Sequence, residues 1–312
     1  MAQIICGVDV SAEALDASIG QTGPHERFAR TPKGIAALAG FCKAHTAELV
    51  VMEATGGYEK LPFALLWAQG LGCAVVNPRA VRDFAKAMGF LEKTDRLDAG
   101  VIAWFAAVKG IVAQEPQSQT QQRLAALVTR LRQLTQCKTA QANQRRLVSQ
   151  PEALASIDEI IALLARQIRQ FEASIADLLG SDPLWRELDQ AFRSIKGVAD
   201  RTVARLMADL PEIGTLSNKA VAKLAGLAPI AADSGGRNGR RPIRGGRAHV
   251  RSILFTVAEI VRRYVPDFAD LHRRLLKAGK PKKVVRVALA RKLLVRLNAK
   301  ARDVRKNLPC HA

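Results

Sequence analysis

Four carboxylates and one serine are the residues of this chain whose types and spacing could do chemistry. Asp95 and Asp98 stand three apart in Lys93-Thr94-Asp95-Arg96-Leu97-Asp98, which reads as the opening of a helix continuing through Ala107. Residues three apart share a helix face, so the two acids point the same way. Thr94 can cap that helix, and acids suit its positive end. Paired carboxylates repel unless a cation lies between them, and a hard divalent ion with oxygen ligands answers that need. Alone the pair reads better as two solvated acids on a surface turn. Asp9 and Glu53, each closing an apolar run, make it a candidate metal set. Ser234 opens a different stretch, Ser234-Gly235-Gly236-Arg237, in which residues 235–247 hold five glycines and five arginines. A serine oxygen attacking a phosphate needs positive charge on the non-bridging oxygens, and guanidinium supplies it bidentately. No Ser/His/Asp order is evident, and His249 is the one histidine near that serine.

The elements that must position these groups follow from periodicity. Ile4 to Val10 reads as a buried strand ending in Asp9. Leu15 to Ile19 and Arg27 to Ala29 read as two further strands of a meander. Gly34 to His45 has helical spacing, Glu48 to Met52 is a second buried strand with Glu53 at its exit, and Tyr58 to Gln69 is helical. Cys73 to Val76 is a strand stopped by Asn77-Pro78, and a helix from Val81 precedes the one carrying Asp95 and Asp98. Strands followed by alternating helix and strand predict a mixed α/β sheet. Sites in such sheets gather at the carboxyl ends of strands, which brings Asp9 and Glu53 to one edge.

From Pro116 onward the chain reads as helical. Leu124, Leu127, Leu131 and Leu134 form one apolar stripe, and Leu154 to Leu178 repeat at alternating spacings of three and four. Pro151 separates the two helices, which can fold on each other as a hairpin or seam against a second chain. Ser194-Ile195-Lys196-Gly197-Val198-Ala199 joins two helical segments, 184–193 and 200–209. It reads as a plain connection or as a helix-hairpin-helix turn with Lys196 beside a phosphate. The stretch carrying Arg237, Arg240, Arg241, Arg244 and Arg247 reads as a basic loop or two-stranded ribbon ordered by phosphates. Helices follow over 249–264 and 277–306. These readings divide the chain into 1–115, 116–183 and 184–312.

Charge says which part meets a polyanion. The net is +20 over 312 residues, but residues 1–115 carry −1 and residues 116–312 carry +21. Residues 233–312 alone hold 22 basic and 5 acidic side chains, which points to nucleic acid before membrane. Two tyrosines and three tryptophans leave little for stacking along single strands, so backbone contact to a duplex or a folded RNA fits better. The five scattered cysteines contain no C-x-x-C pair and predict reduced, mostly buried thiols in a cytosolic protein without a zinc site. No apolar run reaches the ~18 residues of a membrane span, and no signal peptide is seen.

The order acid-strand, acid-strand, acid-pair-helix resembles the RNase H-like fold in its RuvC form, with a D-E-D-D set. Gly7-Val8-Asp9, Met52-Glu53-Ala54-Thr55-Gly56-Gly57-Tyr58, Lys93 to Ala99, and Gly226-Leu227-Ala228-Pro229 followed by Ser234-Gly235 together resemble transposases of the insertion-sequence one-ten family. These are recombinases guided by a structured bridge RNA, and the likeness covers nearly the whole chain. It implies an N-terminal RuvC-like α/β domain, a central helical coiled coil and a mainly α-helical C-terminal domain. It implies Mg²⁺ held by Asp9, Glu53, Asp95 and Asp98, and a nucleophile at Ser234 that joins covalently to a DNA strand end. It implies donor and target double-stranded DNA, a structured guide RNA, no membrane, and a nucleoid-associated bacterial protein. Each site would combine the carboxylates of one subunit with the serine of another, in a dimer or tetramer. Two rivals stand beside this reading. One is a RuvC-like Mg²⁺-dependent nuclease or junction resolvase in which water attacks. The other is a non-catalytic nucleic-acid scaffold, which the presence of all four acids disfavours.

Overall fold

Apolar strands, two of them carrying an acid at the carboxyl end, build the first third of the chain. The computed structural model describes residues 3–90, 95–231 and 241–308, with backbone alone at 95–97. The chain divides into two compact units, Met1–Gln117 and Ser118–Ala312.

In the first unit β1 (Ile5–Val10), β2 (Ala14–Ile19) and β3 (His25–Ala29) form an antiparallel meander. Then come α1 (Pro32–Ala44), β4 (Leu49–Glu53), α2 (Lys60–Ala68), β5 (Gly72–Val76), α3 (Pro78–Ala87) and α4 (Asp95–Lys109). The five-stranded sheet has the order β3-β2-β1-β4-β5, with β4 and β5 parallel to β1. The mixed α/β sheet expected from the sequence is therefore what forms. Crossover helices follow from the parallel pairs, since parallel neighbours cannot be joined by a tight turn.

Alternation gives the sheet two apolar faces. Cys6, Val8, Val10, Met52 and Phe28 pack under α1 and α2. Ile5, Leu49, Val51, Ala74 and Val76 pack under α3 and α4 with Val81, Ile102 and Ala106. Thr31 caps α1 by accepting from the Gly34 N–H, and Asn77 caps α3 by accepting from the Arg79 N–H. Cys6, Cys42 and Cys73 are buried free thiols, and burial pushes Cys73 up to about 12.

The second unit is helical: α5 (Gln119–Arg145), α6 (Pro151–Ser181), α7 (Pro183–Arg193), α8 (Asp200–Asp209), α9 (Asn218–Leu224), α10 (Ala248–Tyr264), α11 (Pro266–Lys277) and α12 (Lys282–Asn307). Helices α5 and α6 pack on each other as a hairpin. Leu124, Val128, Leu131 and Leu134 share a core with Ile168, Ile175 and Leu178, and Arg145 pairs with Asp158 near the turn. The outer half of the α6 seam is less covered: Leu154, Ile157, Ile161 and Leu164 are half-buried, and Ile160 and Leu163 beside them are exposed. Helix α12 is the axis of the rest, burying Val285, Leu289, Leu293, Leu294 and Leu297. The final helix thus starts at Lys282 rather than 277, because α11 ends at Lys277 and the chain turns through 278–281. Among the described residues no helix is long and apolar enough to cross a membrane.

Candidate functional site

The carboxyl edge of the sheet collects the first two acids. Strands β1 and β4 run parallel with Ile5 opposite Leu49 and Val8 opposite Met52. One step further in that register sets Asp9 beside Glu53. Each is on the face that α4 covers, because Gly7 and Val51 two residues earlier face that helix.

Gly7 explains how α4 comes so close. A Cβ there would lie 2.1 Å from the Ala99 carbonyl oxygen and 2.5 Å from the Ala103 nitrogen, so only glycine lets helix and strand touch. Past α4 the chain reaches the start of β5, where the Gln114 N–H donates to the Cys73 carbonyl at 2.8 Å and Ala113 sits against Gly72. The helix therefore crosses β1 at Gly7 and runs toward the amino end of β5. Asp98 directly precedes the Ala99 that meets Gly7 and is half-buried, and the Asp95 side chain lies outside the described residues.

A third strand acid is not singled out by the sequence. Asp16 on β2 is directly opposite Asp9, and Arg27 on β3 is opposite Asp16. Asp16 is 5 % exposed, with Arg27 Nη1 at 3.5 Å and His25 Nε2 at 4.0 Å. One pleat thus carries Glu53, Asp9, Asp16 and Arg27 in a row across four strands. A signal for Asp16 is present in the sequence: Ala14, Asp16 and Ser18 alternate against Leu15 and Ala17. Among the described residues no three His, Cys, Asp or Glu side chains form a group that could hold a metal ion. Asp9 and Glu53, which the register sets side by side at this edge, offer carboxylate oxygens, the donor type that a hard divalent cation takes.

The basic stretch is anchored at both ends. Ser234, Arg237 and Arg240 lie outside the described residues. The flanks meet as an antiparallel bridge between Pro229 and Ile243, with the Ile230 N–H donating to the Pro242 carbonyl at 3.0 Å. Below it Gly226 and Gly246, both at positive φ, let two backbones touch. A Cβ on Gly246 would lie 2.3 Å from the Gly226 nitrogen. The Arg247 N–H donates to the Leu224 carbonyl at 2.7 Å, closing the base.

The arginines around this base divide by exposure. Arg241 and Arg244 are exposed. Arg247 is half-buried and engaged inside the protein: its guanidinium meets both Glu212 oxygens at 2.5 Å and the Asp209 carbonyl at 3.0 Å. Burial pushes the Glu212 carboxyl up, but Arg247 more than offsets this and holds it below its ordinary value. Lys196 is exposed at the turn before α8. That helix opens with Asp200, which pairs with Arg193 at 3.1 Å, and its cap position, Ala199, supplies no side-chain bond.

Comparison with known proteins bears on this arrangement. Residues 6–148 match a family model described as "Transposase", and residues 189–273 match one described as "Transposase IS116/IS110/IS902 family". The chain belongs to this transposase family. The pilin gene-inverting protein of Moraxella bovis is 29% identical over 316 residues, 94% of each chain. The protein of the same name from Moraxella lacunata matches to the same extent. A Thermus thermophilus RuvC structure matches 36% of this chain and 99% of its own at 13% identity, with a TM-score of 0.26. A likeness of that size decides nothing about the fold, which rests on the strand order itself. The transposase is an enzyme of DNA recombination. Its first family match covers the sheet and the carboxylates, and its second covers the base of the basic stretch.

Proposed function

We propose that this transposase cuts and rejoins DNA through a covalent bond to Ser234, assisted by Mg²⁺ at Asp9, Glu53, Asp95 and Asp98 of an RNase H-like domain, with a structured RNA choosing the sites. What carries the reading is the register that sets Asp9 beside Glu53 at the carboxyl edge, on the sheet face that α4 covers. The meander followed by two parallel strands supports the RNase H-like assignment.

In the proposed reaction the Ser234 Oγ–phosphorus bond forms as one phosphorus–oxygen bond to deoxyribose breaks. The serine proton leaves to a base and the departing sugar oxygen gains one. The phosphodiester count is unchanged, so a strand end can reverse the step without ATP. A bound divalent ion would supply Lewis-acid stabilisation of developing charge. Arg237, Arg240, Arg241 and Arg244 flank the serine in sequence and would hold the phosphate. Carboxylates and serine are supplied by different subunits of an oligomer. Sequence choice by a guide RNA fits a chain whose excess charge favours phosphate contacts over base contacts.

The test uses supercoiled donor and target DNA with the RNA transcribed beside the gene. Denaturing gels should show DNA joined to protein, with the link mapped to Ser234. Ser234→Ala should lose adduct and cleavage yet still bind nucleic acid. Asp98→Asn should lose strand exchange and weaken Mg²⁺ binding while keeping its fold. Mixing the two inactive variants should restore activity. Free ends produced by Ser234→Ala would establish the hydrolytic nuclease instead.

A further inference from the structure

A cleft of about 740 Å³ opens beside the Pro229–Ile243 bridge, between the start of α10 and the start of α12. Its floor is apolar, formed by Leu227, Pro229, Ile243, Val284 and Val287. One aromatic ring faces it, Phe255, over which the Arg286 guanidinium lies 4.1 Å from the centroid. Among the described residues four cations line it, Arg241, Arg251, Lys283 and Arg291, and no acid does. Lys283 and Arg291 make no hydrogen bond or ion pair among the described residues, whereas Arg251 Nη1 donates to the Gly245 carbonyl at 2.7 Å.

An apolar, aromatic-sided cleft with a wholly cationic lining is chemically mixed. An apolar peptide would match the floor and leave the cations idle. A duplex backbone would match the cations but could not enter a hole. A single nucleotide matches both, because it joins a flat apolar base to an anionic phosphate. Sites for small ligands commonly span about 300–1,000 Å³, which this cleft falls within. We propose that the cleft takes one unpaired nucleobase of the bound DNA, stacked on Phe255, with the neighbouring phosphates on Lys283 and Arg291. The inference rests on the DNA-recombinase reading and deepens it: strands that are cut and exchanged must leave the helical stack. Pockets that hold one base drawn out of a duplex are known from enzymes that do chemistry on the base itself, and the cost of unstacking is a few kcal/mol. With one ring in the cleft, the site holds one base and no run of them, consistent with the few aromatic residues of the chain.

The full chain tests this with two short DNA duplexes, identical except that one carries a single extrahelical thymidine. Binding is read by fluorescence anisotropy at matched salt. The wild type should prefer the bulged duplex by roughly tenfold, the effect of one base–aromatic stack. Phe255→Leu and the cleft-filling Ala288→Phe should abolish that preference while binding the fully paired duplex as before. Arg291→Gln should bind both more weakly and lower the salt slope by about 0.9. Circular dichroism verifies that each variant is folded. A wild type that binds both duplexes equally, or variants that keep the preference, overturn the cleft proposal and leave the recombinase reading standing. Failure to bind either duplex overturns the cleft proposal, and the recombinase reading is then decided by the Ser234 adduct alone.

Discussion

Substituting Gly7 by alanine strikes the contact between β1, which carries Asp9, and α4, which carries Asp98. The added Cβ would sit 2.1 Å from the Ala99 carbonyl oxygen, where ordinary contact begins at 3.4 Å, so α4 must retreat by about 1.3 Å. Both obstructing atoms are backbone, so no side-chain rotation relieves the clash. Overpacking of this kind costs about 1–3 kcal/mol. A displacement near 1 Å at a site that aligns reacting groups costs about 100-fold in rate. Gly7→Ala should therefore lower the unfolding transition of the N-terminal unit in calorimetry and reduce strand exchange by about two orders of magnitude. Nucleic-acid binding by the basic second unit should persist. Gly40→Ala is the control, because its Cβ would meet nothing within 4 Å on an exposed turn of α1. It should be neutral or stabilising by about 0.4–1 kcal/mol. If Gly7→Ala melts and recombines like the wild type, helix and strand do not touch as described, and the placement of Asp98 near Asp9 loses its support.

Three further outcomes follow from the second unit. Glu212→Gln should cost about 1–2 kcal/mol, discounted for a pair that is about a third exposed. Because Arg247 holds the Glu212 carboxyl below its ordinary 4.5, that stability is present above pH 4.5 and fades as pH falls through the lowered value. The gap between variant and wild type in melting temperature should close on acidification, and a pH-independent gap would refute the charge pairing. Asn298→Leu should cost about 2–4 kcal/mol in denaturant unfolding by stranding its partners. This fully buried amide accepts from the Gly214 N–H at 2.8 Å and donates to the Leu216 carbonyl at 3.0 Å. A change under about 0.5 kcal/mol would show that the 210–217 loop does not depend on it. Replacing Arg240 and Arg241 by glutamine should lower the salt slope of duplex binding by about 0.9 for each phosphate the variant no longer neutralises. An unchanged slope would remove both from the interface.

The strands and most helices are legible in the sequence because their apolar periods are clean and their ends carry caps or glycines. Asp9 and Glu53 are legible as strand-end acids, and the sheet register then puts them side by side. Asp16 is not, since an acid inside a short strand reads as a solvent-facing position unless the partner strands are known. Only the pairing with Arg27 and His25 shows that it is buried. Helices α9 and α11 escape periodicity for opposite reasons. The first has seven residues, too few for a period to show, and the second is polar on most of its surface with Phe268 as its buried anchor. The clamp beneath the basic stretch depends on Gly226 and Gly246, which are far apart in sequence and become meaningful only when their backbones touch.

Charge is where sequence and structure differ most in what they license. Residues 233–312 look uniformly cationic, yet much of that charge is committed to holding the second unit together. Arg302 and Arg305 donate to the carbonyls of Leu216, Ile213 and Pro211, and burial pushes Arg305 down. Arg296 and Lys292 serve Asp267, and Arg247 serves Glu212. The arginines at 302 and 305 cap the carbonyls of an irregular 210–217 segment that has no helix or strand of its own to satisfy them. A net charge therefore overstates the area available to a polyanion. Exposed Arg241 and Lys283, with half-buried Arg251 and Arg291, line the cleft beside the Pro229–Ile243 bridge, while Arg263, Arg273, Arg274 and Lys277 are exposed along α10 and α11. The cations that line the cleft differ from those engaged in internal pairs in standing beside an apolar floor, so phosphate contact and apolar contact are available side by side.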